Sequence, residues 1–405
     1  MEKRKAPMVS VQEYLDYMGH SLHKAGSGSY RVDDHDSLVV TPSEDLWNWF
    51  SRGVGGSGKK IRLLMATLDG IVDEDEQNQK LSEIRQARGD GWKPNAYEKY
   101  EKKNFNIDEH KFSRQPTDSL NYLTKVRGIH PTIVKNLFKG GLLAEEVKTF
   151  PSKRGSGTFD ATNLWYLWKD RKGTIVGADS QATMPSKSRS DDKHQGYWKG
   201  IVSGSPSAEH NFNFQIGEHR APDKLYVFEA PVDAISFWQM NYDETKNETA
   251  AFVALSGVNK NSFLSYIRER YLGEDAMPFP KELHFAMDND EPGRKFATEM
   301  HELTKVLGDF DDTKVFLDVP GDYNMKDWND ILRYGRYKVD SFEMNNMPDV
   351  PLYNPKWSID GGFPNESVEL SSDFATVAKP NLEISNQVPN MQPTIQQPAK
   401  DTMKM

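Results

Sequence analysis

The C-terminal half of this sequence predicts an α/β fold, a mostly parallel sheet covered by helices, and three observations lead there. From residue 225 to residue 334, short apolar runs alternate with longer helical stretches, the βαβα order that builds a parallel sheet. Two of those runs, 225–228 and 283–287, stop at carboxylates: Glu229 after the first, Asp288 and Asp290 after the second. A short apolar run ending in an acid reads as a buried parallel strand whose C-terminal end carries a functional group. Upstream of residue 225 the pattern differs, with short β-prone runs set between Asp-, Gly- and Pro-containing turns.

A chain of 405 residues predicts two or three domains. Its 37% hydrophobic content and mean hydropathy of -0.74 are low for one globule, so part of it is expected to be tail or linker. There is no cysteine, which excludes disulfides, thiolate zinc sites and cysteine nucleophiles. A net charge of -9 argues against non-specific nucleic-acid binding as the whole function, though a local basic face can coexist with it. Met1-Glu2-Lys3-Arg4-Lys5 is basic but leads into no apolar segment, and no stretch approaches the ~20 apolar residues that span a bilayer. A cytoplasmic protein with no membrane partner is the expectation.

In chain order, Ser10-Val11-Gln12-Glu13 fits a capping box, with Val11, Leu15 and Met18 on one helical face and Gly19 as the stop. Runs at 30–32, 37–40 and 46–50 read as strands of a small unit covering residues 1–70. The glycine-rich stretch 53–60 lacks the P-loop spacing and reads as a turn before a helix at 61–68. Tyr30, Trp47, Trp49 and Phe50 interleave with Arg31, Arg52, Lys59 and Lys60, so these aromatics either stack nucleic-acid bases or fill a small β core. Residues 71–115 are highly charged, with a helix at 77–87 read as a solvated connector.

Within an α+β region at 116–220, helices at 119–126 and 132–138 flank the turn Arg127-Gly128-Ile129-His130-Pro131, a pair compatible with a helix-turn-helix. Residues 150–157 read as a loop, 164–168 and 174–178 as a hairpin, and 181–199 as a polar segment. Strands at 225–228, 251–255, 283–287 and 314–319 then alternate with helices at 231–240, 261–271, 293–307 and 326–334. Past Asp349 periodicity is lost among Pro, Asn, Gln and Ser, and 350–405 reads as a disordered tail.

Strands 225–228 and 283–287 in one sheet would bring Glu229, Asp288 and Asp290 to the edge where open α/β sheets bind ligands. Three carboxylates there repel one another unless a cation stands between them, and hard oxygen donors suit Mg²⁺ or Mn²⁺. The competing reading is that each acid caps a helix. Glu229 is placed either to complete a metal shell or to act as general acid or base. Asp233, one helical turn on, suits a supporting or second-metal role. Lys326 either neutralises phosphate charge or forms a surface salt bridge.

These residues resemble the Toprim domain, a Rossmann-like fold shared by bacterial-type primases, topoisomerases, recombination proteins and some nucleases. The resemblance rests on four ordered motifs across residues 222–336. They are Glu229-Ala230-Pro231-Val232-Asp233, Leu255-Ser256-Gly257, Asp288-Asn289-Asp290-Glu291-Pro292-Gly293-Arg294, and Asp318-Val319-Pro320 followed by Lys326-Asp327-Trp328-Asn329-Asp330. Ala230-Pro231 stands where the common form has glycine, a form similar to the branch on plasmids, conjugative elements and phages. Residues 122–129 and the 164–179 hairpin resemble the uncharacterised domain preceding Toprim in that branch, and 30–56 resembles a primase zinc-ribbon stripped of its ligands, so no zinc is expected.

The resemblance implies a Toprim domain at 221–340 whose catalytic acids are Glu229, Asp288 and Asp290. Mg²⁺ or Mn²⁺ would be held by these with Asp233, phosphates by Lys326 and Arg294, and nucleic acid by Trp47, Trp49, Arg52, Lys59 and Lys60. It implies a primase-like nucleotidyltransferase of a mobile element, with single-stranded DNA and nucleotide triphosphates as partners and a replicative helicase or relaxase beside it. A Toprim nuclease and a non-catalytic nucleic-acid-binding accessory protein are the alternatives.

Overall fold

In the computed structural model the chain forms two units, Met1–Lys103 and Asn104–Met405. The described residues are 8–353 without 26–27, 53, 98–103, 152–156, 186–195, 218–220, 273–275, 308–309, 311, 322–324 and 335–338.

The first unit opens with helix α1 (Val11–Met18), whose capping box is made as the sequence predicts: Ser10 and Glu13 satisfy each other's backbone amides, and Gly19 ends it at φ 82. Strands β1 (Leu22–Lys24), β2 (Tyr30–Val32), β3 (His35–Thr41), β4 (Leu46–Trp49) and β5 (Val54–Ser57) pair with their sequence neighbours in an antiparallel meander. Helices α2 (Ile61–Leu68) and α3 (Glu74–Gly89) follow. The sequence assigned α3 to a solvated linker. Instead Leu81 and Ile84 are buried with Tyr14, Leu15, Leu64 and Met65 in the unit's core. Those two apolar side chains, one turn apart, anchor an otherwise charged helix.

The second unit begins with α4 (Thr117–Asn121), which runs on as one π-helical turn over Tyr122–Val126, and α5 (Pro131–Lys139). An antiparallel sheet follows in the order β6 (Leu143–Pro151), β7 (Thr158–Lys169), β8 (Ile175–Ala182), β9 (Lys199–Ile201). The predicted hairpin is thus β7–β8; of the segment 150–157 read as a loop, Phe150 and Pro151 end β6, Gly157 directly precedes β7, and residues 152–156 lie outside the described residues. Strand β6 hides behind adjacent glutamates. Glu145 is buried because it accepts from the Ser119 amide (2.6 Å), and Glu146 because His110, Asn163, Trp165 and Lys148 surround it.

Strand β10 (Phe212–Ile216) then leads into the alternating series β11 (Lys224–Phe228), α6 (Pro231–Met240), α7 (Tyr242–Thr245), β12 (Ala250–Ala254), α8 (Lys260–Tyr271), β13 (Glu282–Phe285), α9 (Glu291–Leu307), β14 (Lys314–Pro320), α10 (Trp328–Tyr334) and β15 (Val339–Glu343). The sheet order is β10-β12-β11-β13-β14-β15. Its inner four strands are parallel and its two edges antiparallel, so the mostly parallel sheet is as expected and the edge strands are additions.

Both faces of this sheet are covered. Leu225 and Val227 of β11 point to one core, with Phe263 of α8 and Phe296 of α9, while Tyr226 and Phe228 point to the other, with Phe237 of α6 and Trp328 of α10. The second core continues without a break into Tyr166 and Trp168 of the antiparallel sheet and into Tyr122, Leu123 and Ile133 of the helix pair. The helix pair is therefore packed into this core. Among the described residues no helix is long and apolar enough to cross a membrane.

Residues 350–353 belong to the fold rather than to a tail: Tyr353 donates its amide to the Asn289 carbonyl (2.9 Å), and the Pro351 carbonyl accepts from Arg294 (3.2 Å). The rest of the segment read as a tail lies outside the described residues.

Candidate active site

The parallel register puts the C-terminal ends of β11 and β13 side by side, Val227 opposite Phe285, so Glu229 and Asp288 leave the sheet at the same edge. Glu229 does not cap α6. That helix starts at Ala230 with no side-chain cap and with Pro231 in its first turn, where a missing N–H costs nothing. One carboxylate oxygen of Glu229, Oε1, is buried without a hydrogen-bond partner. It faces the backbone of Gly293, where a Cβ would come within 3.0 Å of it and within 2.3 Å of the Asp288 carbonyl oxygen. Only glycine lets the first turn of α9 pack this closely on the two acids.

Asp290 does cap its helix: Oδ1 accepts from the Gly293 amide (3.0 Å). Its other oxygen stays available and lies 2.9 Å from Lys326 Nζ, which also meets Asp288 Oδ2 at 3.0 Å. The ammonium thus stands between two carboxylates. Burial, and after it the charges of Asp288 and Asp290, push the Glu229 carboxyl up to about 8. Burial also raises Asp288 to about 6 in spite of Lys326, whose own ammonium is held charged by the two acids against its burial. The physical state is that of carboxyls crowded in a poorly solvated corner with one cation too few.

Lys326 is carried by a segment stitched to the same edge. Asn289 donates its amide to the Lys326 carbonyl (2.8 Å), and Trp328 Nε1 reaches the Ala286 carbonyl (2.8 Å). Asp327 caps α10 through the Asp330 amide (2.7 Å). Asp233 of α6 accepts from the Asn329 amide (3.0 Å), and burial, then Asp327 and Asp288, hold its carboxyl well above the usual range. Asp330 is likewise raised to about 6, by burial and then by Asp327.

The sequence-predicted residues divide accordingly. Glu229, Asp288, Asp290 and Lys326 come together, with Asp233 close behind. Arg294 does not face the acids: its guanidinium is bound to Asn289 Oδ1 (2.7 and 3.1 Å) and to the Pro351 carbonyl, so it fixes the loop between the two aspartates. Trp47 and Trp49 are each only 2% exposed and fill the first unit's core, which excludes base stacking by either ring. Arg52 lies over the Trp49 ring (4.0 Å) and donates to the Thr67 carbonyl, while Lys59 and Lys60 are exposed. Phe50, 67% exposed, is the one aromatic of that run on the surface. Sequence reasoning quoted Gly293, Asn289 and Asn329 within the ordered motifs, with Pro292-Gly293 as a turn beside the aspartates, and gave the two asparagines no role of their own.

Among the described residues no three His, Asp or Glu side chains stand in a metal-holding group. The donors nonetheless fit a hard divalent cation. They are carboxylate oxygens alone, one is buried and unpartnered, and a cationic side chain already occupies the space between the other two.

Residues 226–332 match the Toprim-like family and residues 121–219 a protein family of unknown function (DUF3991). An uncharacterised protein of Bacillus anthracis, pXO2-78, is 24% identical over 339 residues, which cover 81% of this chain and 88% of that protein. Of solved structures, the primase fragment of the bacteriophage T7 primase-helicase protein aligns over 73% of this chain and 88% of its own, at 14% identity and a TM-score of 0.32. The RNA polymerase domain of Mycobacterium tuberculosis primase DnaG aligns over 55% and 74%, at 17% identity and a TM-score of 0.33. The chain carries a Toprim-like domain preceded by a DUF3991 domain, and it is homologous to the Bacillus anthracis protein.

Proposed function

We propose that the protein is a primase-like, metal-dependent nucleotidyltransferase that joins ribonucleotides on single-stranded DNA during replication or transfer of a mobile element. The observation that carries this reading is the convergence of Glu229, Asp288 and Asp290 at the carboxyl edge of the sheet of a Toprim-like domain, with Lys326 between the aspartates. The pXO2 designation of the Bacillus anthracis relative supports the mobile-element part, with a helicase or relaxase of that element as partner.

Phosphoryl transfer asks a protein for positioning and charge compensation more than for covalent chemistry. Glu229, Asp288 and Asp290 would hold Mg²⁺ or Mn²⁺, with Asp233 supporting them, and the ion supplies Lewis-acid stabilisation of charge on the phosphate oxygens. Lys326, which stands between the two aspartates, would be the cation nearest a bound triphosphate once a metal ion neutralised those acids. The alternative to a place in the ion's shell is that Glu229, whose carboxyl burial and then Asp288 and Asp290 raise to about 8 in the metal-free chain, would serve as general acid or base toward an attacking hydroxyl. Zinc has no part in this reading, since the donors are hard oxygens and the chain has no cysteine.

The test is a priming assay on the full chain with single-stranded DNA, labelled ribonucleotides and Mg²⁺ or Mn²⁺. Short RNA from the wild type and none from Asp288→Ala supports the proposal. Strand loss without synthesis assigns the acids to a nuclease. DNA binding with neither reaction, unchanged in Asp288→Ala, leaves an accessory role.

A further inference from the structure

We infer that the DUF3991 domain supplies a positioning residue, Arg127, to the acidic centre, so that the two matched domains make one site. The inference rests on the acid-site reading above and extends it to a domain with no assigned role.

The turn between the two helices of that domain ends one helix at Arg127 and starts the next at Pro131, with Gly128 in the left-handed region (φ 71). Its backbone groups go to the Toprim-like domain. Gln239 of α6 donates to the Gly128 carbonyl (3.2 Å) and accepts from the His130 amide (2.6 Å), and Asn329 of α10 donates to the Arg127 carbonyl (2.8 Å). The side chain of Arg127 follows the same path. Nη1 donates to Asn329 Oδ1 (3.3 Å), while Nε donates to the Tyr122 hydroxyl (2.7 Å).

Asn329 is the hub. It is 1% exposed, and besides its two bonds with Arg127 it donates its amide to Asp233 and its side-chain nitrogen to Ser236 Oγ (3.0 Å). Arg127, Asn329 and Asp233 therefore form a continuous relay across 202 residues of sequence, from the DUF3991 turn to the acid behind Glu229 and Asp288.

Packing two domains together does not require this arrangement. Half-burying a guanidinium is costly unless its N–H groups are met, and apolar side chains would close the same gap without that cost. The Tyr122 hydroxyl meets Nε and Asn329 Oδ1 meets Nη1, and the same asparagine carries its amide to Asp233. The centre is thus bounded by Lys326 at Asp288 and Asp290 and by the Arg127–Asn329 pair at Asp233. A lysine at 127 would keep the charge but lose the planar fork that serves Tyr122 and Asn329 together.

The experiment is titration calorimetry of Mn²⁺ into the full chain, with circular dichroism of each variant. Wild type binds and Asp288→Ala does not. Arg127→Met and Arg127→Lys, folded as wild type, are expected to bind about 10–100-fold more weakly, the usual effect of losing a group that orients a metal ligand. Wild-type affinity in a folded Arg127→Met overturns this inference alone. Absence of Mn²⁺ binding by the wild type overturns the acid-site reading and this one with it. Should Arg127→Met fail to fold, Tyr122→Phe, which removes only the hydroxyl holding Nε, decides. Weaker Mn²⁺ binding supports the relay and unchanged binding overturns it.

Discussion

Lys326 is the side chain whose removal separates a structural salt bridge from a metal-competing cation. Its ammonium lies 3.0 Å from Asp288 and 2.9 Å from Asp290. At an effective dielectric near 20, each contact corresponds to roughly 5 kcal/mol of attraction before desolvation. The lysine side chain is 41% exposed, so screening and the desolvation of its partners reduce the net effect to about 1–2 kcal/mol. Lys326→Met keeps the aliphatic stem and removes the charge. In EDTA the variant should be less stable by that amount, a fall in Tm of a few degrees at ~2–4 °C per kcal/mol.

Added Mn²⁺ should reverse the order of effects. In the wild type the ion must displace the ammonium, whereas in Lys326→Met the three carboxylates await a cation. A ligand at ~100 times its Kd stabilises the folded state by about 2.7 kcal/mol, and tighter binding to the variant makes its gain the larger. The Tm gap between variant and wild type should therefore narrow or close as Mn²⁺ is titrated in a thermal melt, even while priming activity is lost. A gap indifferent to Mn²⁺ would refute the idea that Lys326 holds the place of a cation and return it to an ordinary salt bridge.

Glu229→Gln should stabilise the metal-free chain while abolishing activity. The folded carboxyl is raised to about 8, chiefly by burial, so its favourable contribution is complete below its ordinary value near 4.5 and is lost as pH rises through about 8. Urea denaturation in EDTA should show the variant ahead by a few kcal/mol at pH 9 and equal at pH 4.5, and equal stability at both pH values would sink the argument. His284 of β13 is buried, which disfavours its charge, yet Asp318 and Glu282 outweigh that and raise it to about 9. Its contribution is complete below 6.5 and lost as pH rises through about 9. The stability difference between wild type and His284→Phe should accordingly shrink by roughly 3 kcal/mol over that window, and a constant difference would show that the ring is not charged in the fold. Trp49→Ala should cost the first unit about 3–5 kcal/mol, read as faster amide exchange there, whereas Lys59→Ala should leave exchange unchanged. A stable Trp49→Ala with weakened DNA binding would restore the base-stacking role.

The acids were legible in the sequence because parallel strands impose a rule. Successive strands of one sheet run the same way, so whatever follows each apolar run lands on one edge, and Glu229, Asp288 and Asp290 needed no further information. Trp47 and Trp49 show the limit of such rules. Period-two spacing puts both rings on one side of β4, but only the partners across that side, Leu64 and Met65 of α2, make it the core rather than a surface. The edge strand β10 carried its signal in Phe212, Phe214 and Ile216, an alternation that the neighbouring asparagines and glutamine break up only on the other face. Strand β6 carried none, since Glu145 and Glu146 contradict burial until the amide of Ser119 and the ring of His110 are brought to them.

What stayed hidden follows from the same distinction. Local periodicity records which residues must leave water, but not which polar groups will satisfy one another once they have. Arg127 reads in the sequence as an ordinary turn residue, Asn329 as one letter of a helix start, and Asp233 as an acid one turn into another helix. Each would be costly to bury alone, and hydrogen bonds offset part of that cost when the three meet, the guanidinium and the carboxyl on opposite sides of one asparagine. That hydrogen-bonded path is why the place of Arg127 beside Asn329 shows in the fold and not in the spacing of residues.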